Sequence, residues 1–476
     1  MLGAHQKITM RNCGYLVGLF LVLGTLRLLW SISFFAPLIG DTTRPVEFSI
    51  ELTNLRDSVL SYQLDWGDGT LSEWKTVSGN YLFANYLYSR PGIYYPKIRF
   101  KEINNNITDW TSSCTIQIIP SIAKWIFKTN SGIYSPVAIG KNNELYCTTE
   151  DGILYCILPT GDVKWQLSLK APLYPAPVIG NSLLYIVSTS GVVYGIDFSG
   201  KIIWTYEIPS SIYSSIALTS KENLVFGCDD GNLYCLSNNG KYLWKFSTGD
   251  EIAGSPVIDE NDIIYCASDA IYAIDSKGRQ VWKFSPPEED DAYFFGSPSI
   301  GPDGTIYLGA TNGFIYAITK KGRLKWKIPT PEEDAIRTAI VIDRNNTLYV
   351  GDEGGIFYIK RQGEEIKQLY ETDYYIFGSG AIDSLGNIYF VSDDGYLYAL
   401  RSDGKLLYKW QIAEDSKELM YSPSPIIADD GTIYIGSWEG QLYALNGFAP
   451  AMSGCWSQVR SNKRNTAKII KNQVIK

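Results

Sequence analysis

The feature that most constrains the fold is a repeat of about 40 residues, a period typical of propellers and solenoids. A short aromatic strand motif recurs eight times, at residues 154–157, 193–196, 233–236, 271–274, 315–318, 357–360, 397–400 and 442–445. Each copy follows a strand of small residues and precedes a glycine and, in most copies, a strand that contains tryptophan. Four short strands per repeat, none able to bury both faces alone, predict one propeller blade. The sequence therefore predicts an all-β, eight-bladed β-propeller with W-shaped, four-stranded blades over residues 121–448.

The two ends of the repeat region predict how the ring closes. The last copy is followed by Phe448 and a proline, with no tryptophan strand at the usual offset. A spare strand of this type, residues 124–129, stands before the first small-residue strand. Because unpaired strand edges invite aggregation, we expect residues 124–129 to supply the outer strand of the last blade.

Histidine and cysteine usage excludes several classes of enzyme. The only histidine of the sequence is His5, so the body of the chain has no imidazole to act as a catalytic base or as a haem or zinc ligand. The eight cysteines include neither a CxxC pair nor an adjacent pair, and most lie in apolar strands, where cysteine behaves as a small buried hydrophobe. We expect no cofactor and no metal. A net charge of −8 without a basic stripe also predicts no nucleic-acid partner.

The N-terminal segment, residues 1–35, predicts export. Lys7 and Arg11 precede an apolar run over residues 13–30 that is interrupted only by Arg27. This layout is typical of a secretory signal peptide, and it equally fits an uncleaved signal anchor with Arg27 near one end of the span. A buried core helix is a third alternative. We expect an exported protein that is extracytoplasmic, on the cell surface or anchored in the membrane through this segment.

Residues 36–120 have the pattern of a small β-sandwich preceding the propeller. Runs of alternating apolar residues predict half-buried strands, and the sequence DWGDGT at 65–70 supplies glycines for a tight turn. Together with YSRPGIYYPKIRF at 88–100, these motifs resemble a PKD domain, an immunoglobulin-like sandwich of surface and secreted proteins. The resemblance implies a spacer or adhesive module. Asp65 and Asp68 are expected to cap the turn, with cation binding as the alternative.

The repeat itself resembles the PQQ-like, quinoprotein-type propeller, as in YAIDSKGRQVW at 272–282. Outer-membrane assembly propellers belong to the same family. The resemblance implies that these tryptophans pack between neighbouring blades. Seven of the eight predicted blades have one, namely Trp125, Trp165, Trp204, Trp244, Trp282, Trp326 and Trp410, and the other has Lys367 at this position. Residues 450–467 resemble a segment often found beside such propellers, and residues 449–476 form a C-terminal tail.

Three functions are compatible with this architecture. The quinone-dependent dehydrogenases of the family hold their cofactor beneath two adjacent, bonded cysteines. This chain has no adjacent cysteines, and we therefore expect that the protein is not an enzyme. We favour a non-catalytic scaffold that binds a protein through one propeller face. Adhesion to carbohydrate or to a cell surface is the alternative.

The loops that join successive blades indicate where a partner would bind. In the second half of the repeat region they are long, acidic and aromatic, and aromatic residues and arginine are typical of interface anchors. The candidate partner-binding residues are Tyr293, Phe294, Arg337, Tyr374, Tyr375 and Tyr421. We expect a protein partner with a basic surface, or a surface glycan, bound to a monomeric chain.

Overall fold

The structure, a computed structural model, describes residues 31–53, 59–112, 114–288, 291–360, 366–372, 374–414 and 423–468. These residues form strands and turns without an α-helix, in agreement with the predicted all-β class. Across the same ranges, no helix has the length and hydrophobicity to cross a membrane. The proposed signal or anchor segment lies outside the described residues up to residue 30, whereas Ser31–Phe35 forms a strand.

The chain divides into two compact units. The first comprises Met1–Ile122 together with Ala399–Trp410, and the second comprises Ala123–Tyr398 and Gln411–Lys476. In the first unit one sheet has the order β1-β3-β6, a second β2-β10-β7 and a third β5-β4-β8-β9. These strands are β1 (Ser31–Phe35), β2 (Ile39–Asp41), β3 (Val46–Thr53), β4 (Val59–Asp65), β5 (Lys75–Thr76), β6 (Tyr81–Tyr86), β7 (Gly92–Tyr94), β8 (Lys97–Glu102), β9 (Thr111–Ser112) and β10 (Ile116–Ile119).

Side chains that alternate along the strands form the core of the first unit. Every second residue of β3 is buried, as a strand with one face toward a core requires. In the DWGDGT turn, Gly67 has a φ of 82°, and Asp65 Oδ1 accepts a hydrogen bond from its backbone N–H at 2.8 Å. Asp68 accepts hydrogen bonds from the Thr70 backbone and from Tyr86 Oη, at 3.0 and 2.6 Å. Both carboxylates therefore stabilise the turn itself.

Eight four-stranded sheets follow in the described residues, and each is called a blade below. Blade 1 contains β12 (Ala138–Ile139), β13 (Leu145–Thr148), β14 (Ile153–Ile157) and β15 (Val163–Ser168). Blade 2 contains β16 (Val178–Ile179), β17 (Leu184–Val187), β18 (Val192–Ile196) and β19 (Ile202–Glu207). Blade 3 contains β20 (Ala217–Leu218), β21 (Leu224–Gly227), β22 (Asn232–Leu236) and β23 (Tyr242–Ser247). Blade 4 contains β24 (Val257–Ile258), β25 (Ile264–Ala267), β26 (Ile271–Ile274) and β27 (Gln280–Phe284).

The remaining blades have the same antiparallel order, first strand to fourth. Blade 5 contains β28 (Ser299–Ile300), β29 (Ile306–Gly309), β30 (Phe314–Ile318) and β31 (Leu324–Pro329). Blade 6 contains β32 (Val341–Ile342), β33 (Leu348–Gly351), β34 (Ile356–Lys360) and β35 (Lys367–Glu371). Blade 7 contains β36 (Ala381–Ile382), β37 (Ile388–Val391), β38 (Tyr396–Leu400) and β39 (Leu406–Gln411). Blade 8 contains β40 (Ile426–Ile427), β41 (Thr432–Gly436), β42 (Gln441–Asn446) and β11 (Ala123–Lys128).

The N-terminal strand of the second unit closes the ring. β11 pairs antiparallel with β42, with Trp125 opposite Ala444 and Lys128 opposite Gln441. The prediction that residues 124–129 supply the outer strand of the last blade is thereby confirmed. Because β11 and β42 pair within one sheet, neither strand has an unpaired edge on the side where they meet.

Serine hydroxyls connect the first strands of neighbouring blades around the central axis. The Ser215 backbone N–H donates to Ser255 Oγ at 2.9 Å, and the Ser255 N–H donates to Ser297 Oγ at 2.9 Å. The Ser379 N–H donates to Ser424 Oγ at 2.9 Å on the other side of the ring. These hydroxyls satisfy backbone N–H groups of the segments that lead into the first strands.

The outer strands are docked by tryptophan. In five blades the indole Nε1 donates to a backbone carbonyl of the next blade at 2.8–3.1 Å. The pairs are Trp125 with Pro159, Trp165 with Phe198, Trp204 with Asn238, Trp244 with Ser276, and Trp282 with Lys320. A Cβ at Gly240, where φ is 79°, would lie 2.6 Å from the Trp204 ring, which explains the glycine that precedes each tryptophan strand.

Trp326 and Trp410 have other surroundings. The Trp326 ring lies 5.8 Å from Tyr307 of its own blade, and Lys360 Nζ of the next blade lies 5.8 Å from its centroid. Trp410 is buried within the first unit, where the guanidinium of Arg44 lies 3.7 Å from the ring centroid, and its Nε1 has no hydrogen-bond partner. Trp410 therefore differs from the five tryptophans that bond to the next blade.

The described cysteines are unpaired, and six of the seven are buried. Burial raises the pKa of the Cys147 and Cys266 thiols to about 12. A thiol protonated throughout the physiological range is a poor nucleophile and a poor metal ligand. These cysteines act as small core residues, as their position in apolar strands predicted.

Candidate interaction face

The antiparallel order of the strands gives the propeller two chemically distinct ends. The crossover face consists of the loops that join the fourth strand of one blade to the first strand of the next, together with the turns between second and third strands. The turn face consists of the turns between first and second strands and between third and fourth strands. Because successive strands alternate in direction, these two sets of loops lie at opposite ends of the blades.

The C-terminal tail covers the turn face at the central axis. Its backbone carbonyls accept hydrogen bonds of 2.6–3.1 Å from the last residue of the first strand in six blades. The donor and acceptor pairs are Ile139 with Lys463, Ile179 with Arg464, Leu218 with Thr466, Ile258 with Ala467, Ile342 with Trp456, and Ile382 with Ser457. In blade 8, the Ile427 N–H donates to Gln458 Oε1 at 3.1 Å. One short segment thus bonds to seven blades.

Side chains of the tail fill the adjacent part of the central channel. Trp456 is 1% exposed, and Arg460 is 4% exposed while donating to the backbone carbonyls of Ile216 and Pro256. Desolvation lowers the pKa of Arg460 to about 9. Asn465 Nδ2 donates to the carbonyls of Val137 and Pro177 at 3.2 and 3.1 Å. The turn face is therefore occupied by the chain itself.

The crossover face carries a strongly negative charge. In its described loops the basic residues are Lys170 and Arg337. The acidic residues of the same loops are Glu150, Asp151, Asp229, Asp230, Asp250, Glu251, Asp269, Glu288, Asp291, Glu332, Glu333, Asp334, Asp352, Glu353, Asp393, Asp394, Glu414 and Glu439. On the turn face, by contrast, acids pair with bases, as Asp262 does with Lys468 at 2.7 Å. An unbalanced field of one sign attracts a partner of the opposite sign.

Aromatic side chains occupy one repeated position of the crossover face, four residues before the first strand of a blade. In blades 1 to 3 these residues are Tyr134, Tyr174 and Tyr213, whose ring centroids are 5.4 and 6.4 Å apart in succession. The same position holds Phe295 in blade 5 and Phe377 in blade 7. All five are partly or largely exposed, with Tyr213 at 40%. An aromatic arc therefore surrounds much of this mouth of the channel.

Some of the predicted partner-binding residues are accessible to solvent in the structure, and others are buried or lie outside the described residues. Tyr375 is 52% exposed, whereas Tyr374 is half-buried. Tyr293 is half-buried and its hydroxyl donates to the Glu251 carbonyl at 3.3 Å. Phe294 is fully buried and belongs to the core, because it takes the repeat position that Ile133 occupies in blade 1, so its assignment as a partner-binding residue is corrected. Tyr421 lies outside the described residues.

Arg337 is held in place by two neighbours. Its guanidinium forms an ion pair with Glu353 and lies 4.6 Å from the centroid of Phe295. Phe295 in turn contacts Tyr293, with centroids 4.6 Å apart. The predicted residues Tyr293 and Arg337 are therefore brought together through Phe295, while Tyr375 lies two blades away from Tyr293 beside Phe377 at 5.7 Å.

Sequence reasoning missed the three tyrosines of blades 1 to 3. The crossover loops there are short and almost free of charge, so loop length and composition directed attention to the second half. The usable signal was the register of the repeat. Each tyrosine directly follows a buried aliphatic residue, namely Ile133, Leu173 and Ile212.

Acidic side chains on this face repel one another. Burial raises the pKa of Asp229, and the nearby carboxylates of Glu251 and Asp230 raise it further. Within the described ranges, no ion pair includes Asp229 or Glu251, and no group of acidic residues and cysteines has the arrangement of a metal site. Such carboxylates are stabilised when a cation approaches.

The fold defines a class of protein, the multi-blade β-propeller, and one face of this propeller is acidic and aromatic. The chain belongs to the family described as outer membrane protein assembly factor BamB, whose model matches residues 110–219 and 199–406.

Solved structures agree on the fold. BamB from Moraxella catarrhalis is 15% identical with a TM-score of 0.57, over 68% of this chain and 98% of that chain. Sqt1 of Saccharomyces cerevisiae is 13% identical with a TM-score of 0.58, over 69% of this chain and 100% of that chain. The computationally designed Ika8 protein is 15% identical with a TM-score of 0.56, over 67% of this chain and 97% of that chain. Among curated protein sequences there is no match.

Proposed function

We propose that the protein is a non-catalytic, exported scaffold whose crossover face binds another protein. The observation that carries this proposal is the contrast between the two ends of the propeller. The tail already occupies the turn face, whereas the crossover face presents exposed aromatic rings within an unbalanced negative field. Aromatic anchors inside a charged rim are the usual composition of a protein interface.

The family supports the same function and location. Its description names an outer membrane protein assembly factor, which supports a protein partner and an extracytoplasmic location for this chain. The basic start and apolar run of residues 1–35 support export, through either a signal peptide or an anchor. We further propose that the ring has eight blades and that the first unit is a PKD-like, immunoglobulin-like spacer, on the basis of the eight sheets and the DWGDGT turn.

Catalysis is not part of the proposed function. A quinone enzyme of this fold would need adjacent cysteines, and the sequence has none. Incubating the full chain with the quinone and Ca²⁺ and following dye reduction with alcohols and aldoses tests this point. Substrate-dependent turnover would contradict it.

Affinity capture with the immobilised full chain tests the binding function. Bound proteins and glycans are identified for the parent and for Tyr375→Ala and Arg337→Ala, and we expect both variants to retain much less of one defined protein. An interface hot spot truncated to alanine costs about 2 kcal/mol or more, equivalent to a loss of roughly 30-fold in affinity. The matched control is Tyr242→Ala, because Tyr242 is 47% exposed but lies on the outer strand β23.

The outcome separates the candidate functions. A protein retained by the parent and by Tyr242→Ala but lost from the crossover variants supports the scaffold. Retention of polysaccharide and of no defined protein would favour adhesion. Equal capture by the parent and by both crossover variants would move the site away from this face.

A further inference from the structure

The crossover face contains its own example of how it holds a cation. The Arg337 guanidinium lies over Phe295 of the preceding blade and pairs with Glu353 of its own blade. Glu353 is positioned by the backbone, because its N–H donates to the Ala335 carbonyl, two residues before Arg337, at 3.1 Å. A guanidinium that both lies over an aromatic face and pairs with a carboxylate is favourably placed.

Blades 1 and 3 have the same backbone hydrogen bond to an acidic residue, but a tyrosine takes the place of the arginine. The Glu150 N–H donates to the Gly132 carbonyl at 2.9 Å, two residues before Tyr134, and its carboxylate accepts a hydrogen bond from Tyr174 Oη at 2.6 Å. The Asp229 N–H donates to the carbonyl of Ser211 at 3.1 Å, two residues before Tyr213. A tyrosine therefore stands in blades 1 and 3 where blade 6 has Arg337. None of the ion pairs of the described chain involves Glu150 or Asp229.

We infer that Tyr134, Tyr174 and Tyr213, with Glu150 and Asp229, bind arginine side chains from an extended basic segment of the protein partner. This inference rests on the proposed function and specifies the chemistry of the partner. Arginine fits better than lysine because its planar guanidinium stacks on aromatic rings and forms paired hydrogen bonds with carboxylates.

The spacing of the rings determines the form of the ligand. Successive centroids are 5.4 and 6.4 Å apart, close to the roughly 6.6 Å between alternate side chains on one face of an extended strand. A segment with arginine at every second position can therefore place successive guanidinium groups against successive rings. Intervening residues would face away from the propeller.

A synthetic peptide tests the inference directly. The probe is a short fluorescent peptide with arginine at every second position, and the reference is the same peptide with citrulline, which has arginine's shape without its charge. Binding to the full chain is measured by fluorescence anisotropy. We expect the arginine peptide to bind at least about tenfold more tightly than the citrulline peptide, and its affinity to fall as salt is added.

Variants test whether the peptide binds at the three tyrosines of blades 1 to 3. Tyr213→Ala and Asp229→Asn should each weaken binding of the arginine peptide by about 3- to 10-fold. The matched controls, Tyr242→Ala on β23 and Asp275→Asn on the turn face, should leave it unchanged. Circular dichroism and thermal unfolding of each variant identify any loss of folding.

Failure of this inference is distinguishable from failure of the proposed function. Equal binding of the two peptides, an unchanged affinity in Tyr213→Ala, or a preference of the arc for oligosaccharide overturns the arginine site. If the captured protein still depends on Tyr375 and Arg337, the scaffold function stands. If capture is indifferent to every crossover variant while the peptide binds the arc, the proposed function is the part that fails.

Discussion

Each end of the propeller is made from loops that recur from blade to blade, yet the C-terminal tail covers one end and leaves the other exposed. At the turn face, the tail bonds to the first strands and places Trp456 and Arg460 against the channel. At the crossover face, aromatic rings remain exposed and acids outnumber bases. The difference teaches that a segment outside the repeat can make the two ends of a repetitive fold chemically unequal, because it covers one end and leaves the other exposed.

The largest effect is expected from removing the buried anchor of the tail. Trp456→Ala should lower the free energy of unfolding by about 3–5 kcal/mol, because a fully buried tryptophan is replaced by a cavity. Urea unfolding followed by far-ultraviolet circular dichroism measures it. The control is Trp438→Ala, which changes a partly exposed tryptophan of the crossover face. It should lower the free energy of unfolding by much less. Similar losses would mean that the two ends are equally packed.

Glycine substitutions compare packing density at the two ends. Gly240→Ala on the turn face adds a Cβ 2.6 Å from the Trp204 ring, and Gly249→Ala on the crossover face adds one with no atom within 4 Å. Both glycines have positive φ, 79° and 94°, so the backbone penalty is shared. We expect Gly249→Ala to cost about 1 kcal/mol and Gly240→Ala about 2–3 kcal/mol. Equal thermal shifts in differential scanning calorimetry would contradict the packing difference.

Titration of two aspartates compares the electrostatics of the two ends. Burial and then neighbouring carboxylates raise the pKa of Asp229. Its ionised form is thus penalised in the folded state above that raised pKa, and the penalty disappears once pH falls below the ordinary aspartate range. Asp229→Asn should therefore raise the melting temperature by about a degree at pH 7 and leave it unchanged near pH 3.

Asp303 on the turn face should behave in the opposite way. Burial alone would raise its pKa, but hydrogen bonds from Thr305 and Lys325 outweigh burial and hold it below the usual value. Its stabilising contribution is present above the ordinary aspartate pKa and is lost as pH falls through the depressed value. Asp303→Asn should therefore lower the melting temperature by about a degree at pH 7. A change of the same sign in both variants would break the comparison.

Much of the propeller could be predicted because the sequence signals that specify each blade lie close together and recur from repeat to repeat. Each blade carries its own turn glycine and, in most cases, its tryptophan, and the pairing of β11 with β42 followed from one surplus strand and one missing strand. Phe294 was misassigned because two phenylalanines are adjacent, and only the register of the repeat distinguishes the core residue from the exposed one.

The tail and the tyrosine arc could not be obtained in the same way. The tail occurs once, and its hydrogen bonds join it to strands as far away as the first blade, so no periodic signal reports them. The arc depends on rings from three successive blades, which approach one another only when those blades pack together. Asp229 and Glu150 were likewise indistinguishable from ordinary turn residues in the sequence.

The pairing of β11 with β42 has a consequence for biosynthesis. The Thr129 hydroxyl, just beyond β11, donates a hydrogen bond to the Gly440 carbonyl across 311 residues of chain. The first strand of the propeller to be synthesised therefore pairs with the last one. While the ribosome is still translating the intermediate blades, the edge of β11 that will pair with β42 is available to other chains. A nascent or prematurely terminated chain would expose that edge. The outer strand of blade 8 can therefore pair only after the final blade has been synthesised.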